Sequence, residues 1–334
     1  MKKNSQVLIA RLPEGNLRTD DYELVETPVP EAGDGQVLVE TQAFAITAGT
    51  RAGLQGSASY AGAPKVGIVM GGTGVGRVVS SRSESVPEGV SVSAPTGWRR
   101  YSVHDASAVS VIPTEHDSID YLGPLGINGL TAYFGLHEVG QPEPGDTVLI
   151  SAAAGSVGRL AGQMARIRKA RVVGVTGSET KGRVLVNDLG FDQWVNHRDT
   201  DFRQALKAAT PDGVDVYYDN TGGMILGSAL FRMNTGGRIV CCGVVSQYDT
   251  DSPEPGPRGI PGLLVNKCLT MRGFLVFQYE SRYAEAREEI HSWLTSGALR
   301  CLTDEVHGLE AAPEAFVDIL RGGNLGTRIV RLDG

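Results

Sequence analysis

The sequence predicts an α/β protein of two domains: a β-rich one, and a doubly wound parallel sheet with helices on both faces. Three observations predict it. The chain has 334 residues, enough for two cores of ordinary size. Up to about Asp120 its apolar residues fall in short β-branched runs between Pro/Gly turns, the texture of a small barrel or sandwich. From about Leu125 strand-like and helix-like patterns alternate, the mark of βαβ units.

The elements follow in order. "QVLIARL", "GQVLVETQAFAI", "TGVGRVVSS" and "VSVSA" read as the strands of the first part, with turns such as "PVPEAGDG" between them. "TVLIS" is a strand, "VGRLAGQMARIRK" a helix, "RVVGVTG" a strand and "TKGRVLVNDLG" a helix. "DFRQALKAAT" then reads as a helix, and "VDVYYDN" and "GRIVCCGV" as strands. Late in the chain come the strand "LTMRGFLV", the helix "SRYAEAREEIHSWLTSG" with Gly297 as its stop, the helix "APEAFVDILRGG" and the strand "GTRIVRL". Between Asp249 and Gly262 prolines stand at 253, 255, 257 and 261. They are expected to exclude regular structure and stiffen a loop, either a solvated connection or a lid.

Composition removes whole classes of function. The net charge of −7 argues against a nucleic-acid partner, which a basic face would hold. No apolar run is long enough to span a bilayer. The opening "MKKNSQVLIARLPEG" is too short in its apolar part for a signal peptide and contains Arg11, so a cytoplasmic location is expected. Cys241, Cys242, Cys268 and Cys301 form no C-x-x-C pair, and the six histidines show no H-x-H or H-x-x-x-H spacing. The cysteines therefore read as buried small hydrophobes, and no metal is expected.

One turn carries chemistry. "SAAAGSVG" stands between a strand and a helix, and its pattern is Ala153-x-Gly155-x-x-Gly158. Gly155 falls where a side chain would collide with a pyrophosphate, and Gly158 where the helix packs on the sheet. Ala153 holds the first position, which needs only a tight turn and tolerates Ala at negative φ. The helix beginning at Ser156 then offers N–H groups and the positive end of its dipole to phosphates. A dinucleotide (Rossmann) site follows. At the end of the next strand NAD sites carry an acidic residue for the ribose. Here that place is Thr176, and Lys181, Arg183, His197 and Arg198 lie nearby. The pattern favours the 2′-phosphate of NADP, with Lys181 as its anchor.

"SAAAGSVG", "VVGVTGSETK", "VDVYYDNTGG", "YLGPLGINGLTAYFGL", "GVVSQYD" and "LRGGNLGTRIV" together resemble the medium-chain dehydrogenase/reductase superfamily. More narrowly, the chain is similar to the zinc-independent branch of prostaglandin reductases, plant double-bond reductases and bacterial curcumin reductase. The resemblance implies a GroES-like substrate domain over residues 1–124, completed by 301–334, and a Rossmann NADP-binding domain over 125–300. It implies a homodimer and NADPH-dependent reduction of the C=C bond of α,β-unsaturated ketones or aldehydes. By the same resemblance Lys181 is the 2′-phosphate lysine, and His197 stands where a tyrosine is usual. Tyr248 would touch both cofactor and substrate, Asn324 would lie near the nicotinamide, and Thr131 in "GLTAY" would contact the cofactor. Val157, Ser178, Asn220, Cys242 and Phe274 complete the implied cofactor set. Tyr60 and Arg51 are the implied substrate contacts.

The chain also departs from that branch. "TAGTR", Thr47 to Arg51, stands for a D-P-x-M-R segment and keeps only the arginine. Asn266 stands where a further tyrosine is expected. Where zinc-dependent relatives carry ligands, this chain reads "VMGGTGVGRVV" and "FAITAGTRAG", with no Cys, His or carboxylate. The implied chemistry is therefore conjugate reduction stabilised by hydrogen bonds, with Tyr248 as the catalytic residue: its hydroxyl holds the developing enolate oxygen and either it or water returns the proton. A phenol titrates near pH ~10 and is a donor at neutral pH. Two other readings share the cofactor site: an NADPH:quinone reductase of the same superfamily, and an NADPH-binding protein with little turnover.

Overall fold

The two ends of the chain build one core between them. In the computed structural model, which describes residues 2–56, 63–253 and 256–332, the chain divides into two units. Unit 1 comprises residues 1–123, 248–251 and 303–334, and unit 2 comprises 124–247 and 252–302.

In chain order the strands and helices are β1 (Lys3–Ile9), β2 (Tyr22–Pro28), β3 (Gln36–Ile46), α1 (Thr50–Leu54), β4 (Gly74–Ser81), β5 (Ser91–Ala94), β6 (Tyr101–Asp105), β7 (Ser110–Val111) and α2 (Ile127–Phe134). Then follow β8 (Thr147–Ile150), α3 (Ser156–Ile167), β9 (Arg171–Thr176), α4 (Glu179–Asn187), β10 (Gln193–Asn196), α5 (Phe202–Ala209), β11 (Val214–Asp219), α6 (Gly223–Arg232) and β12 (Met233–Cys241). The last are α7 (Ile260–Lys267), β13 (Thr270–Gly273), α8 (Tyr283–Thr295), β14 (Thr303–His307), α9 (Ala312–Leu320) and β15 (Thr327–Arg331).

Unit 1 holds a largely antiparallel sheet in the order β14-β15-β3-β4-β5-β7, with β6 also on β3, and a separate β1–β2 ribbon. β15 pairs antiparallel with β3, so the tail of the chain is sewn into the N-terminal sheet. The core shows why. Trp98, 1% exposed, stacks on Phe44 and meets Phe316 edge-on, both at 5.8 Å between ring centres. Val7, Ile9 and Val330 close the same cluster. Burying an indole and two phenyl rings stabilises this junction by several times the ~1.5–3 kcal/mol of one large side chain.

Unit 2 is a six-stranded parallel sheet in the order β10-β9-β8-β11-β12-β13. β8 is wholly buried and β9 nearly so, as strands covered on both faces must be. The order reverses between β8 and β11. In such sheets ligands bind outside the carboxyl ends of the strands at this switch point.

Two sequence expectations change. Proline does not exclude regular structure over the whole of 249–262: Pro261 lies in the first turn of α7. There its missing N–H has no intrahelical partner to lose and its fixed φ suits the helix. Pro255 lies outside the described residues. The strand read from "LTMRGFLV" stops at Gly273, and 3-10 turns follow from Val276. β10, a short edge strand from "DQWVNH", and the π-helix Gly135–Gly140 after α2 carry no periodicity that the sequence could display.

Candidate functional site: a dinucleotide cradle

Five residues join β8 to α3. The left-handed residue of this turn is Ala152, with φ 46°. Ala153, one residue on, is buried and has its N–H on the Val175 carbonyl. The tight bend that a glycine would ordinarily make is therefore carried one residue early, at some cost to an Ala. Gly155 is the N-cap of α3, with φ −76° and ψ 176°, and provides no side chain to cap the helix. A Cβ there would meet only the Ala152 oxygen, at 3.2 Å. At Gly158 a Cβ would lie 2.5 Å from the Ala152 oxygen and 2.9 Å from the Ala153 Cα. One glycine thus leaves space in front of a helix N-terminus and the other lets the helix sit down on the turn. Ser156 and Val157 open the helix at half-buried positions. A helix end of this kind is an anion site.

β9 ends at Thr176, 4% exposed, with no carboxylate. Gly177 follows, and a Cβ on it would meet His197 Nε2 at 2.9 Å and Arg198 Nε at 3.2 Å. Ser178 caps α4, its hydroxyl accepting from the Lys181 N–H at 3.4 Å. The Thr176 carbonyl holds the His197 N–H. Two basic side chains, His197 and Arg198, therefore flank Gly177, and Lys181 lies in the first turn of the helix that starts beside it. Arg183 points elsewhere, to Glu179 at 2.5 Å. Burial, and then the Arg198 charge, hold the His197 imidazole below its ordinary value. A cavity of about 580 Å³ opens beside His197, lined by Asp199, Thr200, Asp201, Arg203 and Met224 among others.

At the switch point the chain spends a buried carboxylate on order. Asp219, 3% exposed, accepts on Oδ1 from Tyr217 at 2.8 Å, from the Gly222 N–H at 2.8 Å, from the Thr221 N–H at 3.0 Å and from Ser151 at 3.2 Å. Asn220 donates through its backbone N–H to the Ser151 hydroxyl at 2.9 Å and through Nδ2 to the Ser151 carbonyl at 2.7 Å. These bonds tie the end of β11 to the end of β8, next to the turn.

A second group converges on Tyr218. Its hydroxyl donates to the Thr131 carbonyl at 2.8 Å, and the Thr131 hydroxyl donates to Ile127 at 2.6 Å. Phe274 and the Tyr218 hydroxyl both crowd Gly135, where a Cβ would fit neither. Cys242 lies against Tyr218, and burial pushes its thiol up to about 12. Cys242 is therefore a neutral packing group at physiological pH. Thr131, Cys242 and Phe274 thus gather around Tyr218, which is tied to the turn by the Ser151 N–H on its carbonyl.

Three of the residues expected at the site from sequence belong to unit 1. Tyr248 is half-buried at the start of the segment 248–251. Asn324, 7% exposed, donates Nδ2 to the Gly326 carbonyl at 2.8 Å. Arg51 is 1% exposed, with Nε on Asp249 at 3.1 Å and Nη2 on the Gly15 carbonyl at 2.6 Å. Tyr60 lies outside the described residues.

Known proteins are similar to this chain over nearly its whole length. Residues 5–112 match the family described as the N-terminal domain of oxidoreductase, and residues 156–292 match the zinc-binding dehydrogenase family. The putative NADP-dependent oxidoreductase YfmJ of Bacillus subtilis (strain 168) is 37% identical, over 98% of this chain and 97% of its own. The NADPH-dependent curcumin reductase of Escherichia coli (strain K12) is 33% identical, over 100% and 98%. The crystal structure of CurA from Vibrio vulnificus in complex with NADPH superposes with a TM-score of 0.94 at 32% identity, covering 99% of each chain. The chain belongs to the zinc-independent branch of the medium-chain dehydrogenase/reductase superfamily.

For a member of this superfamily the name of the second matching family raises the question of zinc. Among the described residues no three His, Cys, Asp or Glu side chains are grouped as ligands. Among the described residues, too, no helix is long and apolar enough to cross a membrane. Sequence reasoning passed over Ser151 and Asp219, while Arg198 stood among its four basic candidates for the 2′-phosphate. Only "DN" at the end of a buried strand signalled the first pair, because a carboxylate there must find donors.

Proposed function

We propose that this protein reduces the C=C bond of α,β-unsaturated ketones or aldehydes with NADPH, without a metal. The observation that carries the reading is full-length identity of 33% to an NADPH-dependent curcumin reductase. The cradle fits that cofactor: Gly155 leaves the helix end open, and Thr176 brings no acid to repel a 2′-phosphate. His197 and Arg198 beside Gly177, with Lys181 in the first turn of α4, are the groups that would hold that phosphate. Bound NADPH would supply a hydride for the β carbon of the enone. The α3 N-terminus would hold the pyrophosphate, and Val157, Ser178, Asn220, Thr131, Cys242, Phe274 and Asn324 would wall the cofactor. Tyr248 would donate its hydroxyl to the carbonyl oxygen as charge grows there, and either it or water would return a proton to the α carbon. The chain is then a cytoplasmic enzyme, in keeping with four cysteines of which none is in a disulfide.

The test is an assay of enones against quinones with 4-deuterated NADPH. The expected product carries deuterium on the β carbon. Turnover of quinones alone, or no NADPH oxidation with either acceptor, would overturn the reading.

The reading includes a homodimer joined at the β13 edge. β13 ends its sheet and is mostly exposed. In α7, the helix that precedes it, Val265 is 76% exposed, and Phe231 near the end of α6 is 67% exposed. An uncovered strand edge invites a second copy of the same edge about a two-fold axis, and exposed apolar side chains add area to bury. Light scattering should give a dimer for the parent chain and a monomer for the double variant Val265→Asp, Phe231→Asp. A dimer unchanged by both charges would place the interface elsewhere.

A further inference from the structure

We propose that Arg51 is a positioning residue: by clamping Asp249 it fixes the place of Tyr248 on unit 1 rather than touching substrate itself. The inference rests on the role given to Tyr248 above, and goes beyond it.

Arg51 carries a charge where charge is costly. Arg51 stands in α1 with its side chain 2% exposed, and Asp249 has its side chain 12% exposed. A guanidinium so deeply buried persists only if a carboxylate and carbonyls answer it. Arg51 spends Nε on Asp249 Oδ1 at 3.1 Å and Nη2 on the Gly15 carbonyl at 2.6 Å. Both donors therefore point at backbone and side chain of the protein. Nη1 is buried without a partner, which leaves the guanidinium no exposed face to offer a ligand.

Asp249 is gripped from a second side. Its Oδ1 also accepts from the Leu17 N–H at 2.5 Å. Asn16 Nδ2 donates to the Asp249 carbonyl at 2.6 Å and to Oδ2 at 3.3 Å. Asp249 itself holds φ 54°, a left-handed conformation that a non-glycine residue keeps only where its surroundings enforce it. Side chain, carbonyl and backbone torsion are thus all fixed by residues more than 190 positions away in sequence. Gly15, Asn16 and Leu17 on one side and Arg51 on the other form the clamp.

The consequence falls on the neighbour. Tyr248 precedes Asp249 directly, so its Cα stands only about 3.8 Å from a fixed one. Residues 248–251 belong to unit 1, while Gln247 before them and Ser252 after them belong to unit 2. A segment of four residues that joins unit 1 from a chain otherwise in unit 2 needs an anchor. The bonds of Asp249 supply one. A hydroxyl that must meet a developing charge loses rate steeply with small misplacement, so loosening this anchor should be felt in kcat.

The experiment has two arms. Amide hydrogen exchange is read over residues 247–251 in the cofactor-free full-length protein and in Arg51→Lys and Asp249→Asn. Faster exchange confined to this segment is expected, with Arg51→Lys the milder of the two because it keeps the charge; exchange unchanged in both variants would overturn the clamp. This arm reads out even if the parent chain reduces no enone, so failure of the proposed function stays distinguishable. In the second arm Asp249→Asn is made in the parent and in the Tyr248→Phe background. In the parent it should lower kcat about 10-fold with KM for the enone less affected, and in Tyr248→Phe it should lower kcat no further. An equal loss in both backgrounds, no loss in the parent, or a Tyr248→Phe variant as fast as the parent would overturn the proposal. Thermal melting of each variant guards against simple unfolding: an Asp249→Asn loss of kcat accompanied by melting near the assay temperature and by faster exchange throughout the chain would count against positioning.

Discussion

Replacing Lys181 by alanine is expected to weaken NADPH binding by about 10- to 100-fold and to leave NADH binding within about twofold. Lys181 occupies the first turn of α4, whose cap is Ser178, and the strand before it ends in Thr176. His197 and Arg198 flank Gly177 at this same corner. Hydrogen bonds to a charged group contribute about 1.5–3 kcal/mol each, which is the stated range in affinity. NADH lacks the 2′-phosphate and has nothing to lose there. Fluorescence titration of both nucleotides checks it, and equal losses for both would show that Lys181 supports the fold of the corner. The titration also has a pH signature. In the protein without nucleotide, burial and Arg198 keep His197 below its ordinary value, so it is neutral at pH 7. A 2′-phosphate favours the charged imidazole and raises that value. Binding then takes up a proton, and NADPH affinity should rise as pH falls while NADH affinity does not. His197→Gln should flatten the NADPH curve.

How far the sequence displays this site depends on the kind of signal each residue emits. Gly155 and Gly158 are legible because their absence of a side chain is itself the function, and a fixed spacing between a strand and a helix shows it. Thr176 is legible by contrast, since an acid is expected and missing. The parallel sheet is legible because strands covered on both faces must be nearly continuous apolar runs, as "VLI" in β8 is. The rest depends on contacts that sequence distance hides. Arg51 reads as a substrate contact when only the "TAGTR" segment is known. Its burial and its bonds to Gly15 and Asp249 arise from residues 36 and 198 positions away. Arg198 and Arg183 look alike in the sequence. In the structure Glu179, one helical turn before it, draws Arg183 aside, while Arg198 lies against Gly177. Ala152 is the clearest case. The fingerprint draws attention to Ala153, yet the left-handed torsion falls on the residue before. A backbone torsion leaves no mark in a run of three alanines.

The two glycines of the turn should separate stability from binding. Gly155→Ala is expected to fold with little loss, because its φ of −76° suits any residue and its new Cβ would press only on the Ala152 oxygen, at 3.2 Å. That Cβ would nonetheless stand at the mouth of the α3 N-terminus, where a pyrophosphate needs close approach. NADPH affinity should fall by about 10-fold or more, since the N–H groups of the helix end can no longer be reached at hydrogen-bond distance. Gly158→Ala is expected to do the reverse first. Its Cβ would lie 2.5 Å from the Ala152 oxygen and 2.9 Å from the Ala153 Cα, atoms of a turn whose Ala153 is 0% exposed. Neither neighbour is the end of a flexible side chain, so α3 must lift from the turn. Overpacking of a close-packed site costs about 1–3 kcal/mol, and a shifted α3 carries the anion site with it. Gly158→Ala should therefore lose both stability and affinity, Gly155→Ala affinity alone. Denaturant melts and NADPH titrations on the two variants decide it. A Gly155→Ala protein that binds NADPH as the parent does would remove the pyrophosphate from this turn, whatever Gly158→Ala shows.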